Sequence, residues 1–471
     1  MDLHINLAGP GDRAARIYRQ VLDAVLDGRL RPGERLPPTR ELAGRLGVSR
    51  NTVSVAYERL VAEGVLVARV GSGTYVGDRP VTSAPPSAPR RGAVRARPGW
   101  DSFTPPAHPG PPAAYDFGVG VPDGGLFPLA AWRRLISGEL RSSAVSGTRY
   151  LEPAGHPGLR AAIARYAGVS RSVRARADDV LVTQGAQQAL DLVARVLIEP
   201  GDLVAVEDPG YPPARLVFAG NGARVAAVPV DAEGLDVAAL PPAARVVYVT
   251  PSHQFPLGTP MSLARRTALL DWADRHDAVI VEDDYDSEFR YSERPLEPMQ
   301  SLDRAGRVIY VGTFSKTLLP MLRLGFLVAP GSLRGPLLMA RLLSGRHGDP
   351  TAEGALARFI DDGELPRHVR RATRVYAARH ELITSALRAD FGDRLTLVPS
   401  AAGLHVCALA APDLPVERVR ARARELDVHT EALAGYAADG RTPQGLVLGY
   451  GAIPTERIPE GLRRLRRACA E

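Results

Sequence analysis

Lysine is almost missing from this chain: of 59 Lys and Arg residues in a length of 471, only Lys316 is lysine and the other 58 are arginine. Any chemistry that needs a primary amine side chain therefore has one residue to use. Cysteine is nearly as scarce, Cys407 and Cys469 being the whole supply. Two are too few for a disulfide framework or a cysteine-rich metal centre, which points to a reducing, cytoplasmic setting. No apolar run reaches the roughly 18 residues of a membrane span, and the N-terminus carries no apolar signal core, so spanning and secretion are disfavoured. Otherwise the composition is ordinary, with 45% hydrophobic and 24% charged residues, and wholesale disorder is excluded.

The charge that is present is unevenly placed. The chain has a net charge of +7; residues 1–100 hold 16 arginines against 9 acidic residues, while the remainder is balanced at 43 of each. A polyanionic partner, nucleic acid or anionic lipid, is thus to be sought at the N-terminal end. Ten prolines crowd the stretch between Gly77 and Ala114, with little apolar periodicity. Such a segment buries too little to offset its ordering entropy, and predicts a linker over 78–114. It separates a domain at 11–77 from a larger one at 115–471.

In the first domain Ile17, Val21, Leu22, Val25 and Leu26 recur at helical spacing up to Gly28, and a short helix fits Thr39–Leu46. Gly47 breaks the pattern, Ser49 is placed to cap a third helix, and Val53, Ala56 and Leu60 form its inward stripe. Two runs ending at Arg69 and beginning at Thr74 flank Gly71-Ser72-Gly73, which predicts a hairpin with a glycine tip. On this reading Arg50, Asn51, Ser54 and Tyr57 lie on or near the outward side of the third helix, with Thr52 close to its start. Arg and Asn can grip guanine and adenine edges, and hydroxyls can hold phosphates. The segment resembles the winged helix of GntR-type regulators in Leu36-Pro37-Pro38-Thr39-Arg40-Glu41-Leu42-Ala43, in Leu46-Gly47-Val48-Ser49-Arg50-Asn51-Thr52-Val53 and in Gly71-Ser72-Gly73-Thr74-Tyr75-Val76. The resemblance implies binding to double-stranded DNA. The candidate contacts are Arg40, Ser49, Arg50, Asn51, Thr52, Ser54, Tyr57, Arg69, Ser72, Gly73 and Thr74. The alternative is a structural or adaptor domain with a solvated polar face.

The second domain alternates short β-branched runs (180–182, 203–206, 246–249, 278–281, 308–311 and 325–328) with helical patterns at 186–197, 263–275 and 334–343. This predicts an α/β fold around a mostly parallel sheet, with its site at the carboxyl ends of the strands. Lys316 follows one such strand in Gly312-Thr313-Phe314-Ser315-Lys316. A lysine kept where arginine serves everywhere else suits a Schiff base with an aldehyde, which guanidinium cannot form. A phosphorylated pyridine aldehyde also needs an acid for its ring nitrogen, a phosphate cup and a stacking partner. Glu282-Asp283-Asp284-Tyr285 offers the acid, the alternatives for such a strand-end cluster being a metal site or a helix cap, and no His or Cys cluster supports metal. Thr183-Gln184-Gly185-Ala186-Gln187 turns from strand to helix and offers an anion site.

In order, Tyr150–Gly155, Gly185–Leu190, Glu207-Asp208-Pro209-Gly210-Tyr211, Thr250–Pro256, Glu282–Tyr285 and Ser315-Lys316 with Arg323 resemble the fold type I aminotransferase family. The resemblance implies pyridoxal 5'-phosphate as cofactor. Lys316 would form the Schiff base, Asp283 would pair with the pyridine nitrogen, Tyr285 would approach the phenolic oxygen and Tyr211 would stack on the ring. Gly185, Ala186, Gln187, Thr313, Ser315 and Arg323 would hold the phosphate, and Tyr150 would reach a neighbouring subunit's site, which implies a homodimer. Two positions depart from the family: Phe255 stands where an asparagine usually precedes the Pro-x-Gly turn, and Val447 where an arginine usually clamps a substrate carboxylate. Arg441 is a cation close by in sequence that could substitute.

Winged helix, proline-rich linker and aminotransferase-like domain, in that order, resemble the MocR branch of GntR-type regulators. What this implies is a transcriptional regulator that senses pyridoxal phosphate, or an amine or amino acid reacting with it, with control of vitamin B6 metabolism as the expected role. The alternative is an active aminotransferase with an appended DNA-binding domain, in which Lys316 would be the catalytic base.

Overall fold

The computed structural model of the protein describes residues 5–7, 12–77, 95–97, 99–104, 113–141, 150–291, 297–392, 394–438 and 443–470. They form two compact units, Met1–Pro98 and Gly99–Glu471. Most of the stretch expected as a linker, and Arg441, lie outside the described residues.

The N-terminal unit is built on α1 (Arg13–Leu26), α2 (Thr39–Leu46) and α3 (Arg50–Ala62), followed by the hairpin of β1 (Leu66–Arg69) and β2 (Gly73–Val76). Ser49 caps α3, its Oγ accepting the Thr52 N–H at 3.1 Å, and Gly47 ends α2 in the left-handed region at φ 62°. Ile17, Val21, Leu42, Val53, Ala56, Leu60 and Leu66 meet in one core. The chain at 33–36 adds an unexpected third edge to the hairpin: Leu36 N–H donates to Thr74 O at 2.8 Å and Val76 N–H to Glu34 O at 2.9 Å.

The second unit is organised by an eight-stranded sheet. Following β3 (Tyr115–Asp116), its members are β4 (Val180–Thr183), β5 (Leu203–Asp208), β6 (Arg224–Asp231), β7 (Gly234–Leu235), β8 (Ala244–Val249), β9 (Val279–Asp284), β10 (Val308–Thr313) and β11 (Gly325–Val328). Their order is β4-β11-β10-β9-β8-β5-β6-β7. The run β10-β9-β8-β5-β6 is parallel, whereas β11 is antiparallel to both neighbours and β7 to β6. All six expected strands lie in it; β6 and β7 went unread because β6 is a half-exposed strand with Pro229 inside it.

Side-chain alternation splits the sheet's apolar residues between two cores. Val204, Val206, Val246, Val281, Ile309 and Val311 pack against the helix Ala186–Leu197, while Ala205, Val247, Val249, Ile280 and Val308 pack against the helix Leu263–Arg275 and Met299. The same alternation runs on into the polar end of β9, where it decides which carboxylate faces which way. A C-terminal subdomain holds a second sheet, β12 (Leu395–Leu397), β13 (His405–Ala410), β16 (Gly445–Gly449) and β15 (Glu431–Ala432) in that order, with the helices Glu364–Asp390 and Ile458–Ala470 against it. β3 joins it in parallel with β14 (Val428–His429), tying the start of the unit to the subdomain. Among the described residues no helix is long and apolar enough to cross a membrane.

Candidate functional site

The loops after β4, β5, β8, β9 and β10 all leave from the carboxyl edge of the large sheet, and there they enclose a cavity of about 300 Å³. Its lining includes Ala186, Gln187, Tyr211, Asp283, Tyr285, Thr313, Ser315, Lys316 and Arg323, nine of the eleven expected cofactor residues. Gly185 stands at the rim against Arg323.

Lys316 lies in the cavity wall with its Nζ donating to Gly120 O at 2.6 Å. Burial holds its pKa below that of an ordinary lysine, against the pull of the Asp286 and Asp283 carboxylates. Of the three acids in β9, only Asp283 faces the cavity. Glu282, one residue earlier, takes the N–H groups of Met299 and Gln300 at 2.9 Å each, and Asp284, one residue later, accepts from Tyr310 at 2.6 Å. Asp283 Oδ2 accepts from Tyr248 at 2.8 Å, while its Oδ1 is buried without a partner among the described residues. Burial pushes the Asp283 carboxyl up to about 7.

At the other end, Gly185 precedes the helix Ala186–Leu197 with φ 81° and ψ 176°, a backbone conformation essentially reserved for glycine. A Cβ there would stand 3.0 Å from Nη2 of Arg323, which donates to Gln184 O at 2.7 Å. The Ser315 N–H and the hydroxyls of Thr313 and Ser315 lie together, with Thr313 Oγ1 and Ser315 Oγ 3.0 Å apart. Uncapped helix N–H groups, two hydroxyls and a guanidinium converge here, an arrangement suited to an anion.

Tyr211, its phenol pushed up to about 12 by burial, meets Phe255 edge-on with ring centres 5.6 Å apart. Phe255 also touches Tyr285, His405 and Tyr436, so the family's asparagine is replaced by an aromatic wall. The polar contact to Tyr285 comes from His253 instead, whose Nδ1 is 2.9 Å from the Tyr285 hydroxyl. Tyr150 is not in the cavity; it is exposed, with the Arg346 guanidinium 3.9 Å from its ring centre. Val447 is fully buried in an apolar cluster with Cys407, Leu433 and Tyr436.

Sequence reasoning missed Val119, Gly120, Tyr248, Thr250, Pro320 and Tyr436 in this wall. Tyr248 had a signal, a polar aromatic near the end of an aliphatic strand; Gly120, whose carbonyl meets Lys316, and Val119 lie far away in sequence and had none. In the sequence no His or Cys cluster supported a metal site. The fold gathers His253, Asp286 and His405, with potential ligand atoms within 4.8 Å of one another. Each is engaged internally, His405 Nε2 with Pro256 O at 3.1 Å and His253 with Asp286 and Ser400.

In the N-terminal unit Arg40, Ser49, Arg50, Asn51, Arg69 and Ser72 are exposed, and Thr52, Ser54, Gly73 and Thr74 are half-buried. Tyr57 departs from the expectation. It is buried, 4% exposed, and its hydroxyl donates to Pro37 O at 3.1 Å. Position 57 follows Val53 by four and precedes Leu60 by three, so it belongs to the same inward stripe. Arg35, unread in the sequence, lies against the hairpin tip: a Cβ on Gly73 would stand 2.9 Å from its Nε. Arg69 holds its guanidinium 4.9 Å from the Tyr75 ring centre.

Two family models match the chain, bacterial regulatory proteins of the gntR family over residues 13–76 and aminotransferase class I and II over residues 114–427. The chain is 38% identical to the probable rhizopine catabolism regulatory protein MocR of Rhizobium meliloti, over 96% of this chain and 93% of that one. It is 35% identical to the HTH-type transcriptional regulator TauR of Rhodobacter capsulatus, over 98% and 97%. With the HTH-type pyridoxine biosynthesis transcriptional regulator PdxR of Corynebacterium glutamicum it shares 31% identity, over 96% and 95%. Among solved structures, Pyrococcus horikoshii kynurenine aminotransferase superposes with a TM-score of 0.70 at 27% identity, covering 75% of this chain and 90% of the other. The α-aminoadipate aminotransferase LysN of Thermus thermophilus does so with a TM-score of 0.69 at 30% identity, covering 75% and 92%.

Proposed function

Because the chain belongs to the MocR-type transcriptional regulators, in which a gntR-family domain is joined to an aminotransferase class I and II domain, we propose that it is a cytoplasmic, DNA-binding homodimer that holds pyridoxal 5'-phosphate at Lys316. Occupancy of that site, by the cofactor alone or with an amine that reacts with it, sets the affinity for the operator. A ligand shifts such an equilibrium only by binding one arrangement better than another. The name of the PdxR relative supports vitamin B6 metabolism as the regulated pathway.

The observation that carries the reading is Asp283 Oδ1, buried and without a partner among the described residues, in the same cavity as the one lysine of the chain. A protonated ring nitrogen would satisfy that oxygen. The space left by the missing Cβ of Gly185, beside Arg323 and the Thr313 and Ser315 hydroxyls, suits a phosphate. The residues fit the cofactor. When bound it supplies an aldehyde and an electron-withdrawing ring; the protein supplies the rest. Burial keeps the Lys316 amine closer to its neutral, nucleophilic form, Tyr211 covers the ring, and Tyr285 offers a hydroxyl. Exposed Tyr150 suits a role in a second subunit's site.

DNA contact falls to Arg40, Arg50, Asn51, Ser49, Thr52 and Ser54 around α3, and to Arg69, Ser72, Gly73 and Thr74 in the hairpin. Tyr57 is left out. The test is a gel shift on the protein's own upstream DNA with and without pyridoxal phosphate, alongside borohydride trapping. Wild type should retain the reduced cofactor covalently, and Lys316→Arg should not. A trapped adduct on Lys316→Arg would sink the assignment.

A further inference from the structure

Behind Tyr285, in the site that pyridoxal phosphate occupies on the reading above, runs a hydrogen-bonded chain. His253, in the loop after β8, places Nδ1 2.9 Å from the Tyr285 hydroxyl and 3.0 and 3.1 Å from the two oxygens of Asp286. Its Nε2 lies 3.1 Å from Ser400 Oγ, between β12 and β13 of the C-terminal subdomain. We infer that His253 and Asp286 are positioning residues that hold the Tyr285 hydroxyl as a donor into the cavity and link that donor to the C-terminal subdomain through Ser400.

Nδ1 carries at most one hydrogen, and a carboxylate can only accept. With that hydrogen turned to the Asp286 carboxylate, Nδ1 keeps no lone pair to accept from the Tyr285 hydroxyl, so Tyr285 does not donate to it. Its own O–H hydrogen is left for another acceptor, on a side chain that lines the cavity with Lys316 and Asp283. An oxygen substituent of a bound ring is the acceptor chemistry that suits it. Orientation of this kind, one group fixing the tautomer of the imidazole and the imidazole fixing the next group, is how histidines act through neighbours.

Packing leaves the chain little freedom. His253 and Asp286 are both buried, at 2% and 1% exposure. Gly403 closes over them with φ 79°, its N–H on Phe289 O at 2.7 Å, and a Cβ there would overlap both the His253 ring and the Asp286 carboxylate. The titratable groups that face His253 are Tyr285, Asp286, His405, with ring centres 4.9 Å apart, and His380. Burial keeps both of these other histidines below an ordinary histidine's pKa, so neither competes as a cation near neutrality.

A donor to the ring's phenolic oxygen favours the anionic form, so its loss should raise the pH at which the bound cofactor changes its visible absorbance. The test is that titration on the pyridoxal phosphate-loaded full chain, for wild type, Tyr285→Phe, His253→Ala, Asp286→Asn and the double variant His253→Ala/Tyr285→Phe. Tyr285→Phe should move the midpoint up by about one unit, a roughly tenfold change in proton affinity. His253→Ala should move it the same way with Tyr285 still present, Asp286→Asn less, and the double variant no further than Tyr285→Phe alone. Melting curves without cofactor separate misfolding from mispositioning, and Ser400→Ala provides a milder variant of the same chain. Additive shifts, or a wild-type midpoint in a folded His253→Ala protein and in Ser400→Ala, would overturn the inference. A wild-type chain that keeps no absorbance after desalting would instead overturn the cofactor reading, and this inference with it.

Discussion

Tyr57 separates a DNA contact from a core residue, and Tyr57→Phe is the sharpest way to see the difference. The hydroxyl donates to Pro37 O at 3.1 Å, and Tyr57 is 4% exposed, with Pro37 also buried. Removing it leaves a buried carbonyl without a partner, which costs about 1–3 kcal/mol. In a domain of this size 1 kcal/mol is worth about 4–8 °C, so the calorimetric transition of the N-terminal unit should fall by roughly 5–20 °C. Operator affinity, measured by fluorescence anisotropy well below that transition, should stay within about twofold of wild type. Arg50→Ala should do the reverse. Its side chain is exposed, with only a long 3.5 Å contact to Thr39 Oγ1 among the described residues, so melting should barely change. If Arg50 reads a base, affinity should drop by about 1–3 kcal/mol, or about 5- to 150-fold. A Tyr57→Phe protein with an unchanged transition and tenfold weaker DNA binding would refute the buried placement and return Tyr57 to the DNA face.

Gly185→Ala should weaken pyridoxal phosphate binding and cost about 1–3 kcal/mol of stability, because φ 81° with ψ 176° excludes a Cβ and Arg323 stands 3.0 Å away; equilibrium dialysis showing unchanged affinity would count against the phosphate cup. Burial pushes Glu207, Glu282 and Asp283 each up to about 7. Between about pH 4 and 7 the folded chain therefore holds protons that the unfolded chain has lost, so these groups make stability fall as pH rises, by up to about 1.4 kcal/mol per unit each, levelling off above 7. Glu207→Gln should lessen that slope in urea titrations of the cofactor-free chain at pH 5 to 8, and an unaltered slope would contradict it. With Val447 sealed in an apolar cluster, ordinary α-amino acids should give no sustained keto acid production from the loaded protein; steady turnover would instead support the aminotransferase alternative.

The sequence by itself determined the local pieces and the chemistry they could carry. Ser49 and Gly47 bound α3 and α2 because capping and left-handed turns act within a few residues, and the β-branched runs became strands because each is buried on both faces. Lys316 stood out because amine chemistry had one residue to use. Tertiary structure decided what depends on residues far apart. It turned Tyr57 inward onto Pro37, brought Gly120 O to Lys316, and left Asp283 rather than Glu282 or Asp284 facing the cavity through a strand alternation whose phase only the packed sheet fixes. It also put His253 against Tyr285, two residues before the Phe255 that stands in the place of the family's asparagine, since a ring nitrogen's partners are chosen by the segments packed around it. Short-range capping and chemistry are written in neighbouring residues; the direction in which a side chain points is set by what the rest of the fold leaves open.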